Sequence, residues 1–240
     1  MRLLTKSGKF PIGLLSLAEN FFNENEIKYQ KTDLRPNLSY GKKILLKNDN
    51  YKLRQYQSDV VKKAKQVGGG IIKIATGGGK SLVIASLAAE YNIPTVIYVI
   101  GIELLHQMKN TLEEAYGIEC GIVGGGECDL SKAVTIMTIW SAAAAFNKKA
   151  KITDNDTTGD TKAHTKILNK KLVRERVENA QLFIFDECQY AASETLQFIH
   201  RASTSAKHRF LLSGTPWRDA GDDILIEAVS GPKFCDISAT

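Results

Sequence analysis

Two short clusters carry residue types able to do chemistry. The first is Ile74-Ala75-Thr76-Gly77-Gly78-Gly79-Lys80-Ser81, and the second, a hundred residues on, is Asp186-Glu187-Cys188-Gln189. A β-branched run, Gly70-Ile71-Ile72-Lys73-Ile74, precedes the first and reads as a buried strand. Leu82, Val83, Ala85, Leu87, Ala88 and Ala89 follow with the pattern of a helix packed on a sheet. Strand, glycine-rich turn, Lys-Ser, then helix is the order expected of a phosphate-binding loop. Thr76, Gly77, Gly78 and Gly79 let backbone N–H groups converge on phosphate oxygens without a Cβ in the way, and the helix N-terminus adds partial positive charge. Lys80 is expected to reach the outer phosphates and Ser81 to ligate Mg²⁺. Ile74 stands where the usual pattern has its first glycine, so the match covers the second half of that pattern. A flexible glycine loop is the plain alternative.

The second cluster removes that alternative. Leu182-Phe183-Ile184-Phe185 is another buried-strand run, and it ends on two adjacent carboxylates. Adjacent acids at the end of an apolar strand are costly unless a cation offsets them. Nucleotide-bound Mg²⁺ does so: Asp186 is expected to hold the metal, largely through water, and Glu187 to orient and deprotonate the attacking water. Together the clusters predict a nucleoside triphosphatase site with ATP and Mg²⁺.

Other motifs surround these two. Leu53-Arg54-Gln55-Tyr56-Gln57 lies just upstream of the loop. Gln57 has the donor and acceptor needed to read the Hoogsteen edge of adenine, and Tyr51 or Tyr56 could stack on the base. Strand-to-helix turns at Gly101 and Glu103, at Gly124-Gly125-Gly126 and at Thr138-Ile139-Trp140-Ser141 are candidates for holding a nucleic-acid backbone. Gly101, Glu103, Gly125 and Thr138 are the candidate contacts. Ser213 and Thr215, in Ser213-Gly214-Thr215-Pro216, have hydroxyls able to bond the Asp186–Glu187 carboxylates and couple the two sites.

The elements that must position these residues alternate. Strands are predicted at 71–75, 94–100, 120–123, 133–139, 182–186 and 208–213, and helices at 55–66, 80–91, 102–116, 165–179 and 193–203. That alternation is the signature of an α/β fold with a mostly parallel sheet flanked by helices. Residues 1–50 read as a small basic α+β unit, with a helical pattern over Leu14–Phe22 and a strand at Ile44–Leu46; residues 51–240 form the nucleotide-binding domain. The polar stretch 147–165 reads as a mobile surface insertion.

The chain of 240 residues is 43% hydrophobic, enough for one large domain with a full core. No apolar run approaches the roughly 20 residues that span a bilayer, and no secretory leader follows Met1, so no membrane partner is expected. Cys120, Cys128, Cys188 and Cys235 lack metal-ligand spacing and read as reduced thiols, which suits a cytoplasmic protein. Net charge is +6, and residues 1–52, with ten Lys or Arg against five acids, hold +5 of it. A basic balance suits a polyanionic partner.

Taken in order, the motifs resemble those of superfamily 2 helicases over residues 51–218: Gln57, then Thr76–Ser81, Glu103–Gln107, Asp186–Gln189 and Ser213–Pro216. Trp217-Arg218 and Phe10-Pro11-Ile12-Gly13-Leu14-Leu15 are most similar to phage UvsW-type DNA helicases and their restriction-enzyme-like relatives. The resemblance implies a RecA-like first motor domain behind a small N-terminal domain that contacts DNA (residues 1–50), ATP-dependent translocation on DNA, and a second RecA-like domain that supplies arginines to the γ-phosphate. It also implies that the chain is a fragment or split gene product, slow in turnover alone. Two residues depart from the family pattern: Gln189 replaces the usual His or Asp, and Gly101 stands where Pro and a polar residue are common. The competing expectations are the motor piece of a restriction–modification complex and a non-catalytic DNA-binding module.

Overall fold

The computed structural model describes residues 4–146, 161–217 and 223–237, without the side chains of 161–167. In chain order the elements are α1 (Leu15–Glu24), α2 (Gln55–Val67), β1 (Gly69–Ile74), α3 (Lys80–Tyr91), β2 (Thr95–Val99), α4 (Ile102–Tyr116), β3 (Cys120–Gly124) and β4 (Glu127–Cys128). Then follow β5 (Val134–Thr138), α5 (Ile139–Ala145), α6 (Thr161–Asn179), β6 (Leu182–Asp186), α7 (Glu194–Ala202), β7 (His208–Ser213), α8 (Asp223–Ser230) and β8 (Lys233–Ile237).

The strands form one sheet in the order β4-β3-β5-β2-β6-β7-β1-β8. Every pairing is parallel except the β3–β4 hairpin. Strand side chains alternate between faces, so each central strand feeds two cores. Leu182 and Ile184 join Ile72, Ile97 and Leu212 beneath α2, α3 and α4. Phe183 and Phe185 join Ile71, Tyr98 and Leu211 beneath α5, α6 and α7. A parallel sheet covered on both faces requires such doubly apolar strands, and its crossovers bring the strand ends bearing Ile74, Val99, Thr138, Asp186 and Ser213 to one edge.

The expected α/β core is the one observed, and four differences are informative. The segment before α2 holds α1 and no strand among its described residues, which corrects the α+β expectation. Ile44 and Leu46 pack on the core while Leu45 is exposed, as in a strand, yet no neighbouring strand pairs with them. Instead the segment is an extended strap over the helices. Arg35 Nη1 donates to Ala206 O (3.1 Å), Gly41 N to Asn92 O (3.1 Å), Ile44 N to Ala89 O (3.0 Å) and Lys47 N to Ala115 O (2.8 Å). Second, the exposed turn expected at Thr138-Ile139-Trp140-Ser141 is the start of a helix, Ile139–Ala145, capped by Thr138. Third, α8 and β8 were not anticipated. Lys233 and Asp236 interrupt the apolar pattern of β8 because it is an edge strand, where they pair with each other (2.6 Å) and Asp236 also pairs with Lys73 (3.0 Å). Fourth, of the expected insertion, 147–160 lies outside the described residues, and from Thr161 the chain is already in α6.

Candidate nucleotide and nucleic-acid edge

At the end of β1 the chain turns through Thr76–Gly79 into α3. Gly77 (φ +78°) and Gly79 (φ +74°) adopt the left-handed conformation that favours glycine. A Cβ on Gly79 would lie 2.5 Å from Gln57 Nε2, and one on Gly78 would lie 2.4 Å from Ile74 Cγ2. Gly78 is therefore required by the loop's packing, and Gly79 by its backbone conformation as well. Gly79 is the N-cap residue of α3, so Lys80 and Ser81 open the helix and its unpaired N–H groups face the loop.

Gln57 is buried and its amide is fully engaged. Its Oε1 accepts from Arg54 N (2.8 Å), and its Nε2 donates to Gly78 O (3.1 Å) and Gly79 O (3.4 Å). In this conformation the amide clasps the loop, and Gln57 would have to turn it outward to read adenine. Tyr56 does likewise, donating its hydroxyl to Gly78 O (2.7 Å), while Tyr51 OH donates to Glu114 (2.7 Å). Neither expected stacking residue is free of other bonds.

Asp186 ends β6 with its carboxylate almost wholly buried. Burial, and then the neighbouring Glu187 carboxylate, raise its pKa to about 6 against the opposing pull of Lys80. Glu187 sits at φ 66°, ψ 57°, left-handed for a residue with a Cβ, and its N–H donates to Asp186 Oδ1 (3.0 Å). Backbone strain of this kind concentrates at functional sites. Lys80 Nζ lies 3.9 Å from Glu187 Oε1, which brings the two sequence clusters together.

The coupling residues meet this pair by a different route from the one expected. Ser213 does not bond the carboxylates. Its Oγ donates to Gln189 Oε1 (2.6 Å) and accepts from Thr215 N (3.0 Å), while Gln189 Nε2 donates to Glu187 Oε2 (2.9 Å). The amide at 189 is the intermediary, because it carries both a donor and an acceptor. Gly214 abuts the loop: a Cβ there would lie 3.3 Å from Thr76 N and Oγ1.

The residues present fit a magnesium nucleotide. Two adjacent carboxylates, Asp186 buried and Glu187 half-buried, face one lysine; a helix start presents N–H groups, and Ser81 supplies a hydroxyl at that start. Among the described residues no group of three acids, histidines or cysteines could cage a metal alone, as suits Mg²⁺ held through few protein oxygens, water and phosphate.

Along the same edge, β2, β5 and β3 present the candidate nucleic-acid residues. Gly101 caps α4, and open space lies where its Cβ would be. Gly125 (φ +60°) turns the β3–β4 hairpin and lies against Ile102. Thr138 is buried and its hydroxyl is committed, accepting from Ser141 N (3.2 Å) and donating to Ser141 Oγ (2.8 Å), so it is a helix cap rather than an available contact. Glu103 is exposed in the first turn of α4, where its charge suits the helix dipole and repels phosphate. Between these turns project Trp140, 60% exposed, and Ile102, 50% exposed. Sequence reasoning had passed over both as turn residues, although an indole in the first turn after a strand was the available signal.

Residues 50–218 match the family described as the type III restriction enzyme, res subunit. The chain belongs to this family. The matched span contains Gln57, the loop, Asp186, Glu187, Ser213 and Thr215, so the chain is a superfamily 2 helicase-type domain, as the resemblance implied. It is 29% identical over 215 residues to the DNA 3'-5' translocase XPB2 of Sulfurisphaera tokodaii, covering 90% of this chain and 41% of that one. It is 28% identical to the putative DNA 3'-5' helicase Rad25 of Haloarcula marismortui, covering 76% of this chain and 26% of that one. The chain thus spans less than half the length of these curated relatives. Its fold is that of the UvsW helicase from bacteriophage T4 (TM-score 0.70, 18% identity, covering 98% of this chain and 82% of that one). The Pyrococcus furiosus Hef helicase domain is similar over 81% of this chain and 40% of that one (TM-score 0.58, 17% identity).

Proposed function

We propose that this chain is the ATP-binding motor domain of a DNA helicase or translocase. The observation that carries the reading is the continuous line Lys80–Glu187–Gln189–Ser213–Thr215, which ties the ends of β1, β6 and β7 into one polar array. Thr76 to Ser81 cradle the triphosphate and Lys80 neutralises its outer oxygens. Asp186 and Ser81 hold Mg²⁺, which when bound offsets charge on the phosphates. Glu187, steadied by Gln189, takes a proton from the attacking water. Gln57 serves the base once its amide leaves the loop. Ser213 reports on this array to the strand ends that face nucleic acid.

DNA is the partner proposed, since both curated relatives carry DNA in their names. Gly101 and Gly125 offer open backbone for phosphates, Trp140 a surface for a base, and the basic strap before α2 a further contact. Arginines that complete the γ-phosphate site come from a second RecA-like domain or a neighbouring chain. Such a residue contributes roughly 10³–10⁵ in rate. Among the described residues no helix is long and apolar enough to cross a membrane, and the four cysteines are free thiols. Action in the cytoplasm fits both. The motor piece of a restriction–modification complex is the second reading, favoured by the family's own description and by likeness to the type ISP enzyme LlaBIII bound to DNA (TM-score 0.54, 13% identity, covering 78% of this chain and 15% of that one).

Steady-state ATP turnover, with and without duplex, branched and single-stranded DNA, tests the proposal. DNA-stimulated turnover, or intact ATP binding with turnover restored by adding a second motor domain, supports it. DNA binding that ignores ATP and survives Lys80→Ala would leave a clamp in place of a motor.

A further inference from the structure

The carbonyl of Gly78 has an unusual share of donors. Tyr56 OH reaches it at 2.7 Å and Gln57 Nε2 at 3.1 Å, while Arg54 Nη1 donates to the Tyr56 hydroxyl at 3.2 Å. On the other side of the same residue, Gly78 N donates to Ala75 O at 2.9 Å. Both polar ends of the middle glycine are thereby fixed.

The orientation matters for what the loop does. An anion nest works because successive N–H groups face the ligand, which requires their carbonyls to face away. A carbonyl that swung inward would present its negative end to the phosphates. Nothing in the glycines prevents this, since Gly77 and Gly79 are chosen for backbone freedom and Gly77 has open space where a Cβ would be. The restraint must come from outside the loop, and α2 supplies it from successive residues of its first turn.

Tyr56 and Gln57 are not equivalent in this. If Gln57 turns its amide to a base, it gives up its bond to Gly78. Tyr56 has no such second task, and Arg54 polarises its hydroxyl, which strengthens it as a donor. We propose that Tyr56, backed by Arg54, is a positioning residue that holds the Gly78 carbonyl outward and keeps the phosphate cradle formed while Gln57 serves the base. This rests on the reading of Thr76–Ser81 as a triphosphate cradle.

Tyr56→Phe in the full chain removes the hydroxyl and keeps the ring. The measurement is equilibrium binding of a ribose-labelled fluorescent ATP analogue, with displacement by ADP and by inorganic tripolyphosphate, beside the melting temperature of the nucleotide-free chain. All three ligands should bind about three- to tenfold more weakly, the range expected for loss of one hydrogen bond, with melting unchanged; Arg54→Ala should act in the same direction and less. Tripolyphosphate held as tightly as by the unmodified chain would overturn the inference. So would lowered melting with unchanged affinities, which marks a merely structural tyrosine. If the folded, unmodified chain takes up no analogue at all, the nucleotide reading itself fails, and that is separable from an unmodified chain that binds and a Tyr56→Phe variant that binds equally.

Discussion

Strand β6 runs between two buried charged sites that are solved in opposite ways. At its amino end, Phe183 lies under the guanidinium of Arg209, 5.4 Å from ring centroid to Cζ. Arg209 is 6% exposed and pairs with no acid among the described residues; it donates to His200 Nδ1 (2.9 Å), His200 O (3.1 Å) and Ser203 O. At its carboxyl end, Asp186 and Glu187 sit side by side with one lysine, whose nitrogen is 3.9 Å from Glu187. Both Nη atoms of the cation are held by the protein's own carbonyls and an imidazole nitrogen, with Nε buried and unpartnered among the described residues, while the anions keep capacity for more positive charge. A charge that the fold has satisfied internally is structural. One left short of partners at an open edge is waiting for a ligand.

Breaking the carboxyl end should abolish chemistry and spare the fold. Glu187→Gln keeps shape and nucleotide binding and should lower turnover about 10²–10⁴-fold, the range for loss of a general base. Lys80→Ala should weaken binding by roughly one to two orders of magnitude through loss of charge-assisted bonds to phosphate. Steady-state turnover beside nucleotide titration separates the two, and unchanged turnover in Glu187→Gln would remove that residue from the mechanism.

Breaking the amino end should do the reverse. Arg209→Met removes the donor to the His200 carbonyl and leaves Ser203 O with only Ala206 N (3.3 Å); it should cost about 2–4 kcal/mol, read by denaturant unfolding, with nucleotide affinity unchanged at permissive temperature. The same end sets a pH response. Burial and the nearby Arg209 charge lower the His200 pKa from 6.5 to about 3. The folded state therefore favours neutral imidazole; the resulting stability is complete above the unfolded value and is lost as pH falls toward the folded one. Each pH unit in that window costs up to about 1.4 kcal/mol. His200→Asn keeps an acceptor for Arg209 and should flatten that slope in unfolding curves taken across the window.

The smallest effect sharpens the comparison along the carboxyl edge itself. Trp140→Ala should weaken single-stranded DNA binding by about 1–3 kcal/mol if a base stacks on the indole, with ATP affinity unaltered. Fluorescence anisotropy of labelled DNA measures this, and equal binding by the variant would move the nucleic-acid path elsewhere.

The sheet was legible because its strands are doubly apolar and its helices regular, and both clusters of the nucleotide site carried their own signatures. Edge strand β8 was not, since Lys233 and Asp236 give it a polar pattern that only pairing with β1 explains. Nor was the strap legible: Ile44–Leu46 alternates like a strand, and only the absence of a neighbouring strand there distinguishes it from one.

By itself, the sequence determined which chemistry is available, because a glycine-rich turn before Lys-Ser and two acids after an apolar run are local patterns. Tertiary structure decided which groups are already committed. Gln57 clasps the loop, and Gln189 stands between Ser213 and Glu187. The reason is that a hydrogen-bonding side chain has few donors and acceptors. Who occupies them depends on residues far away in the chain, which only the folded sheet brings within 3 Å or so.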